Sequence, residues 1–123
     1  VSAGRSAAGR HWESVAARHL AEHGLVVLER GYRCRLGELD LVCRDASTLV
    51  IVEVRSRGTG AYVSALETVD ARKRRKIVAA ARHYLMRHPR WHGKPVRFDV
   101  VAFDATNTDS PVLHWVRSAF DAG

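Results

Sequence analysis

The chain has 123 residues, 46% hydrophobic and 27% charged, the balance of one globular domain large enough to bury a core. A net charge of +7 points to a polyanionic partner. No apolar run approaches the length of a membrane span and no signal-peptide pattern opens the sequence, so a cytoplasmic location away from membranes is expected. Cys34 and Cys43 lack zinc-site spacing, and free thiols rather than a disulfide framework are expected.

Residues 1–7 and 118–123 are expected to be poorly ordered ends of a single domain spanning 1–123. A helix is predicted from Ala8 to His23, with Trp12, Val15, Ala16, His19 and Leu20 at helical spacing and Gly24-Leu25 as its stop. Leu25 to Glu29 reads as a first strand, and Gly31 to Arg35 as a basic turn or an extension of it. Two short runs follow, Glu38 to Arg44 and Leu49 to Arg55, separated by the polar cluster Asp45-Ala46-Ser47-Thr48. If Asp45 pairs with Thr48 across a two-residue loop, Leu39, Leu41 and Cys43 face Val54, Val52 and Val50 as one apolar face. The other face begins with Val42 beside Ile51 and ends with Asp40 opposite Glu53 and Glu38 opposite Arg55. A slip of one residue would set apolar against charged side chains, so the pattern selects this register.

Ser56 to Ser64 reads as a mobile loop containing Gly58 and Gly60. A second helix begins at Ser64, through the capping box Ser64-x-x-Glu67, or at Asp70, and runs to about Arg87. Its buried stripe is Ile77, Val78, Ala81, Tyr84 and Leu85. After a connector from His88 to Pro95 come strands at Val96–Phe103 and Val112–Val116. The order α-β-β-β-α-β-β predicts an α/β domain with a mixed sheet and helices packed against it.

Asp40 beside Glu53 is the chemically informative pair. Like charges directly opposite on a sheet repel, with Cβ atoms about 4.5–5.5 Å apart. Such a pair suits a divalent cation, because carboxylate oxygens are what Mg²⁺ or Mn²⁺ prefers. The bland alternative is a solvated sheet rim satisfied by arginines. The run Arg72-Lys73-Arg74-Arg75-Lys76 falls on the first turns of the second helix, where cations oppose the macrodipole by roughly 0.3–1 kcal/mol each. A phosphate backbone along that helix would offset the cost, and a plain solvated face is the alternative. His19-Leu20-Ala21-Glu22-His23 matches the H-x-x-E-H spacing of some zinc peptidases, yet it stops at Gly24 and has no third ligand downstream. Asp99 lies within a strand, where an arginine partner would suit it.

Several ordered motifs resemble a known family. They are Gly9-Arg10-x-x-Glu13-x-x-Ala16, Gly37-Glu38-Leu39-Asp40-Leu41, Val52-Glu53-Val54-Arg55, Val69-Asp70-x-x-Lys73, Arg97-Phe98-Asp99-Val100-Val101 and Ala119-Phe120. Together they look like the YraN-like family, a bacterial group placed in the PD-(D/E)XK nuclease superfamily and similar to archaeal Holliday-junction resolvases. The resemblance implies a restriction-endonuclease-like fold and a metal-dependent endonuclease acting on DNA, probing structure rather than sequence. It implies that Asp40, Glu53 and Glu13 hold Mg²⁺ or Mn²⁺, with Arg55 and Glu38 completing the catalytic set. Arg57, Arg72, Lys73 and Lys76 would then hold the nucleic acid. Related resolvases are homodimers, although the sequence identifies no dimer face.

Two positions depart from the family pattern. Arg55 stands where members usually carry Lys, and arginine cannot give up a proton near neutral pH. The same fold without catalysis, a nucleic-acid-binding module, is the corresponding alternative. Trp12 replaces a Gly usually found just before the helix Glu, and is either a core residue or a stacking surface for a base.

Overall fold

The computed structural model describes residues 6–58 and 65–122. Its elements are α1 (Ala7–Glu22), β1 (Val26–Cys34), β2 (Gly37–Asp45), β3 (Thr48–Ser56), α2 (Ala71–Arg87), β4 (Val96–Asp104) and β5 (Val112–Phe120). Short 3-10 turns lie at Leu66–Thr68 and Pro89–Trp91. The five strands form one sheet in sequence order. Every neighbouring pair is antiparallel except β3 and β4, which run parallel from Leu49 beside Val96 to Ser56 beside Phe103. Parallel neighbours need a long crossover, and residues 57–95, including α2, supply it.

The sheet has a helix on each face. Ile77, Val78, Ala80, Ala81 and Tyr84 of α2 bury against Leu39, Val42, Ile51, Phe98 and Val100. Ala16 and Leu20 of α1 bury against Leu41, Cys43, Val50, Val52, Val101 and Phe103 on the opposite face. Central strands covered on both faces read as nearly continuous apolar runs, as Leu49 to Val52 does.

The predicted order of elements holds, and the differences lie at their ends. The Ser6 hydroxyl caps α1 by accepting from the Gly9 amide at 2.9 Å, and Gly24 at φ +93° ends it. Gly31 to Cys34 is strand, paired with β2. Asp70 is the cap of α2, accepting from the Lys73 amide at 2.9 Å; the alternative start at Ser64 lies outside the described residues, as does Gly60. Leu85 is half-buried rather than buried, and Ala80 takes its place in the core stripe.

The last strand runs on to Phe120, so residues 118–120 complete β5 instead of belonging to a loose end. Asp99 explains the extension. Fully buried, its carboxylate accepts from Arg97 Nε and Nη2 at 2.9 and 3.1 Å, from Trp115 Nε1 at 3.0 Å and from the Ser118 amide at 3.0 Å. The ring of Phe120 then stacks on Phe98 with centroids 5.1 Å apart. Both cysteines are free thiols, Cys43 in the core and Cys34 half-buried. No helix among the described residues is long and apolar enough to cross a membrane.

Candidate active site

The β2–β3 hairpin has the predicted register from Asp45–Thr48 through Val42–Ile51 to Leu41–Val52, and there the ladder stops. Asp40 is therefore not a ladder partner of Glu53, nor Glu38 of Arg55. In place of a backbone carbonyl, Asp40 Oδ2 accepts from the Val54 amide at 2.8 Å. The apolar face is interrupted at the same level. Leu39 packs in the α2-side core while Leu41 packs in the α1-side core, although they are two positions apart and strict alternation would put both on one face. Gly31 at φ +68°, a left-handed conformation that glycine adopts without steric cost, lies between the paired residues Arg30 and Tyr32 that flank this level on β1. Glu38 pairs across to Arg33, whose Nε lies 3.6 Å from Glu38 Oε2.

Where the ladder opens, the structure gathers the acidic residues picked out in the sequence. A cavity of about 250 Å³ is lined by Glu13 from α1, Glu38 and Asp40 from β2, Glu53 and Arg55 from β3, and Lys73 from α2. Four elements converge there. Glu53 is 3% exposed and Glu13 4% exposed, so these carboxyl groups are held out of bulk water. The Glu53 carboxyl is pushed from its ordinary value near 4.5 up to about 8, by burial first, then by the charge of Asp40 and a hydrogen bond to it. Lys73 and Arg55 pull in the other direction.

These two cations are held by different means. Arg55 Nη1 lies 3.4 Å from Glu53 Oε2, and its Nε donates to Thr68 Oγ1 at 2.7 Å. Thr68 in turn donates to the Ala65 carbonyl, which fixes the turn ahead of α2. Lys73 Nζ lies 3.6 Å from the same Glu53 oxygen. Sequence reasoning placed Lys73 among the nucleic-acid contacts and did not foresee its place beside Glu53. One signal was available: the chain has only three lysines, and two of them, Lys73 and Lys76, stand in this arginine-dominated run.

A resident ion can be tested against this donor set. Among the described residues, no three His, Cys, Asp or Glu side chains converge as a ready-made metal cage. Mg²⁺ commonly keeps several waters and binds one or two carboxylates plus substrate phosphates, so the Asp40–Glu53 pair is a sufficient protein donor set. Burial raises the Glu53 pKa most and the charge of Asp40 raises it further; a divalent cation would offset the second effect.

Of the other residues, Arg72 and Lys76 are exposed on the first half of α2, and Arg57 is half-buried beyond the end of β3. Trp12 is half-buried on Phe103, with ring centroids 4.7 Å apart, which is the core alternative for that residue. The His19 and His23 rings lie 4.3 Å apart, tilted by 30°, and meet the edge of Trp115, and His23 Nδ1 is bonded to the His19 carbonyl. The H-x-x-E-H segment thus acts as a helix end. His88 and His92 bond the Tyr84 and Leu85 carbonyls at the end of α2.

Comparison with known proteins agrees with the arrangement of motifs. The model of the uncharacterised protein family UPF0102 matches residues 12–103. A UPF0102 protein of Pseudomonas paraeruginosa is 47% identical over 115 residues, covering 93% of this chain and 92% of that protein. Similar proteins occur in Stutzerimonas stutzeri, at 48% identity over 93% of this chain and 94% of the relative, and in Alcanivorax borkumensis, at 42% over 91% and 90%. The matched segment contains every cavity-lining carboxylate together with Arg55 and Lys73, and on this agreement the chain belongs to the UPF0102 family, the YraN-like group.

Proposed function

We propose that the protein is a metal-dependent phosphodiesterase that cleaves DNA, selecting branched or otherwise irregular structure. The observation that carries this reading is the convergence of Asp40 and Glu53 on one cavity with Lys73 and Arg55 beside them. Asp40 and Glu53 would hold Mg²⁺ or Mn²⁺, with Glu13 lining the same cavity as a further carboxylate; when bound, such an ion activates water and neutralises charge on the phosphate. Asp40 is oriented for this by the Val54 amide. Arg55, anchored by Thr68, presents a fixed positive fork toward phosphoryl oxygens. Lys73 adds a compact ammonium beside Glu53, a second positive point charge for the phosphate. Glu38, ion-paired to Arg33, borders the cavity.

The test is to titrate Mn²⁺ into wild type and Asp40→Asn by calorimetry, then assay both on a panel of DNA junctions and single strands. Metal-dependent cleavage that disappears in Asp40→Asn supports the reading. A folded, metal-loaded protein that cleaves none of these substrates rejects it.

Arg55 favours a second reading, a nucleic-acid-binding module of the same fold without turnover. It predicts metal-independent DNA affinity and no cleavage even in Arg55→Lys, and recovered cleavage in that variant would contradict it.

A further inference from the structure

The β1–β2 hairpin turns at Arg35-Leu36 and leans on the first half of α2. The contact is backbone-tight: a Cβ at Gly37 would come within 3.0 Å of the Lys76 carbonyl oxygen. Between hairpin and helix lies a cleft of about 360 Å³, lined by Arg33 and Arg35 on one side and Lys73 and Lys76 on the other. Four cations meet one carboxylate there, Glu38, which is already paired with Arg33. Lys73 is occupied by Glu53. Arg35 and Lys76 form no ion pair with a described carboxylate, so the cleft holds uncompensated positive charge. At its lip Leu36, a large apolar side chain, is 49% exposed.

Glu38 and Lys73 line both this cleft and the carboxylate cavity, so the two are contiguous. We propose that the cleft is a strand-holding subsite for DNA. In it Arg33, Arg35 and Lys76 meet backbone phosphates flanking the one at the carboxylate cavity, while Leu36 packs against an unstacked base. This rests on the phosphodiesterase reading of the neighbouring cavity. A row of cations with an apolar residue at its edge matches a polymer that repeats charged phosphate and flat base, a repeat that an acidic peptide lacks. Apolar wedges enter where bases are unstacked or easily parted, so Leu36 favours forks, branches and single strands over continuous duplex. The tight seat of Gly37 on α2 keeps the two walls at fixed separation.

The experiment uses the full chain in EDTA, where no cleavage occurs, and labelled single-stranded, forked and continuous duplex DNA followed by fluorescence anisotropy. Arg35→Gln weakens binding to all three and lowers the slope of log K against log salt by about 1. Leu36→Ser weakens forked and single-stranded binding by about threefold to tenfold and leaves continuous duplex unchanged. Both residues are exposed, and circular dichroism checks that the variants fold. Cys34 lines the cleft and Cys43 is fully buried, so the rate of iodoacetamide alkylation of Cys34 reports occupancy. Bound DNA slows that rate. DNA that binds Arg35→Gln with the wild-type salt slope, or that leaves Cys34 as reactive as in free protein, overturns the proposal. So does binding of polyglutamate but not DNA. Cleavage by wild type in Mg²⁺ with Cys34 unprotected sinks the cleft alone, whereas protection and a lowered slope without cleavage in any metal sink only the phosphodiesterase reading.

Discussion

The ammonium of Lys73 lies 3.6 Å from Oε2 of Glu53, joining the first turn of α2 to the open end of the β2–β3 ladder. This contact accounts for a cation at a helix N-terminus, where the macrodipole disfavours it by roughly 0.3–1 kcal/mol. The carboxylates around the cavity offset that cost, and the Asp70 side chain caps the Lys73 amide.

Lys73→Gln removes an interaction that lowers the Glu53 pKa, so that carboxyl titrates above its present value near 8. Cleavage at neutral pH is expected to fall by about 10²-fold or more, while DNA affinity loses no more than about one phosphate contact. Single-turnover cleavage alongside anisotropy separates the two effects, and unchanged cleavage would place Lys73 outside the reaction.

Asp40→Asn keeps a carbonyl oxygen for the Val54 amide, so the fold is retained. Loss of the charge beside Glu53 allows that group to ionise at lower pH. Metal-dependent cleavage is expected to drop by about 10³-fold. The Mn²⁺ binding heat is expected to vanish with it; a variant that binds Mn²⁺ like wild type would remove Asp40 from the ligand set.

Glu53 makes stability, and the proposed metal binding, depend on pH in a set direction. Its folded pKa, about 8, lies above its ordinary value near 4.5, so between these values the folded protein holds a proton that the unfolded chain has released. Its contribution to stability is therefore full below about 4.5, declines as pH rises through this window and is lost above about 8. Mn²⁺ must displace that proton, so affinity should rise up to about tenfold per pH unit until pH 8 and then level. Calorimetry in two buffers of different ionisation heat would register the released proton. Glu53→Gln should melt at least about 4 °C above wild type at pH 9, with the gap closing near pH 5.

Asp99→Ala leaves Arg97 and the Trp115 indole without their buried acceptor. The expected loss is about 3–5 kcal/mol of unfolding free energy, since breaking a buried pair strands a charge. The second partner of Arg97, Asp45 at 3.2 Å, places the true figure toward the lower end. Urea titration followed by circular dichroism measures it, and a loss below 1 kcal/mol would deny Asp99 its structural role.

Much of this arrangement was legible in the order of residues. The register from Asp45–Thr48 to Leu41–Val52 follows from apolar alternation alone, because any slip exposes Val and Leu. The α2 stripe and the Pro89 stop follow from helical period and proline chemistry. Alternation could not foretell where the ladder would end. That depended on the Asp40 carboxylate taking a backbone amide and on the left-handed Gly31 next to it, both tertiary facts. The length of β5 was hidden for the same reason. Exposed polar residues such as Ser118 look like a chain end until the buried Asp99, far off in sequence, is seen to hold them. Lys73 was read as one basic residue among five, because the turn of the helix that aims it inward depends on how α2 docks.

The parallel join of β3 to β4 gives the assembly a timetable. β1, β2 and β3 meet through two-residue turns and β4 meets β5 through the loop at 105–111, whereas β4 must find β3 from the far side of residues 57–95. Contacts between distant stretches of chain form slowly, since closing the intervening loop costs entropy before any bond repays it. Asp40 and Glu53 arrive with the early hairpin, but Lys73 rides on the crossover and reaches them only when it docks. A half-synthesised polypeptide on the ribosome thus has its acids in place without their lysine, and the Lys73–Glu53 contact should form during refolding only after the β-sheet signal has begun to return.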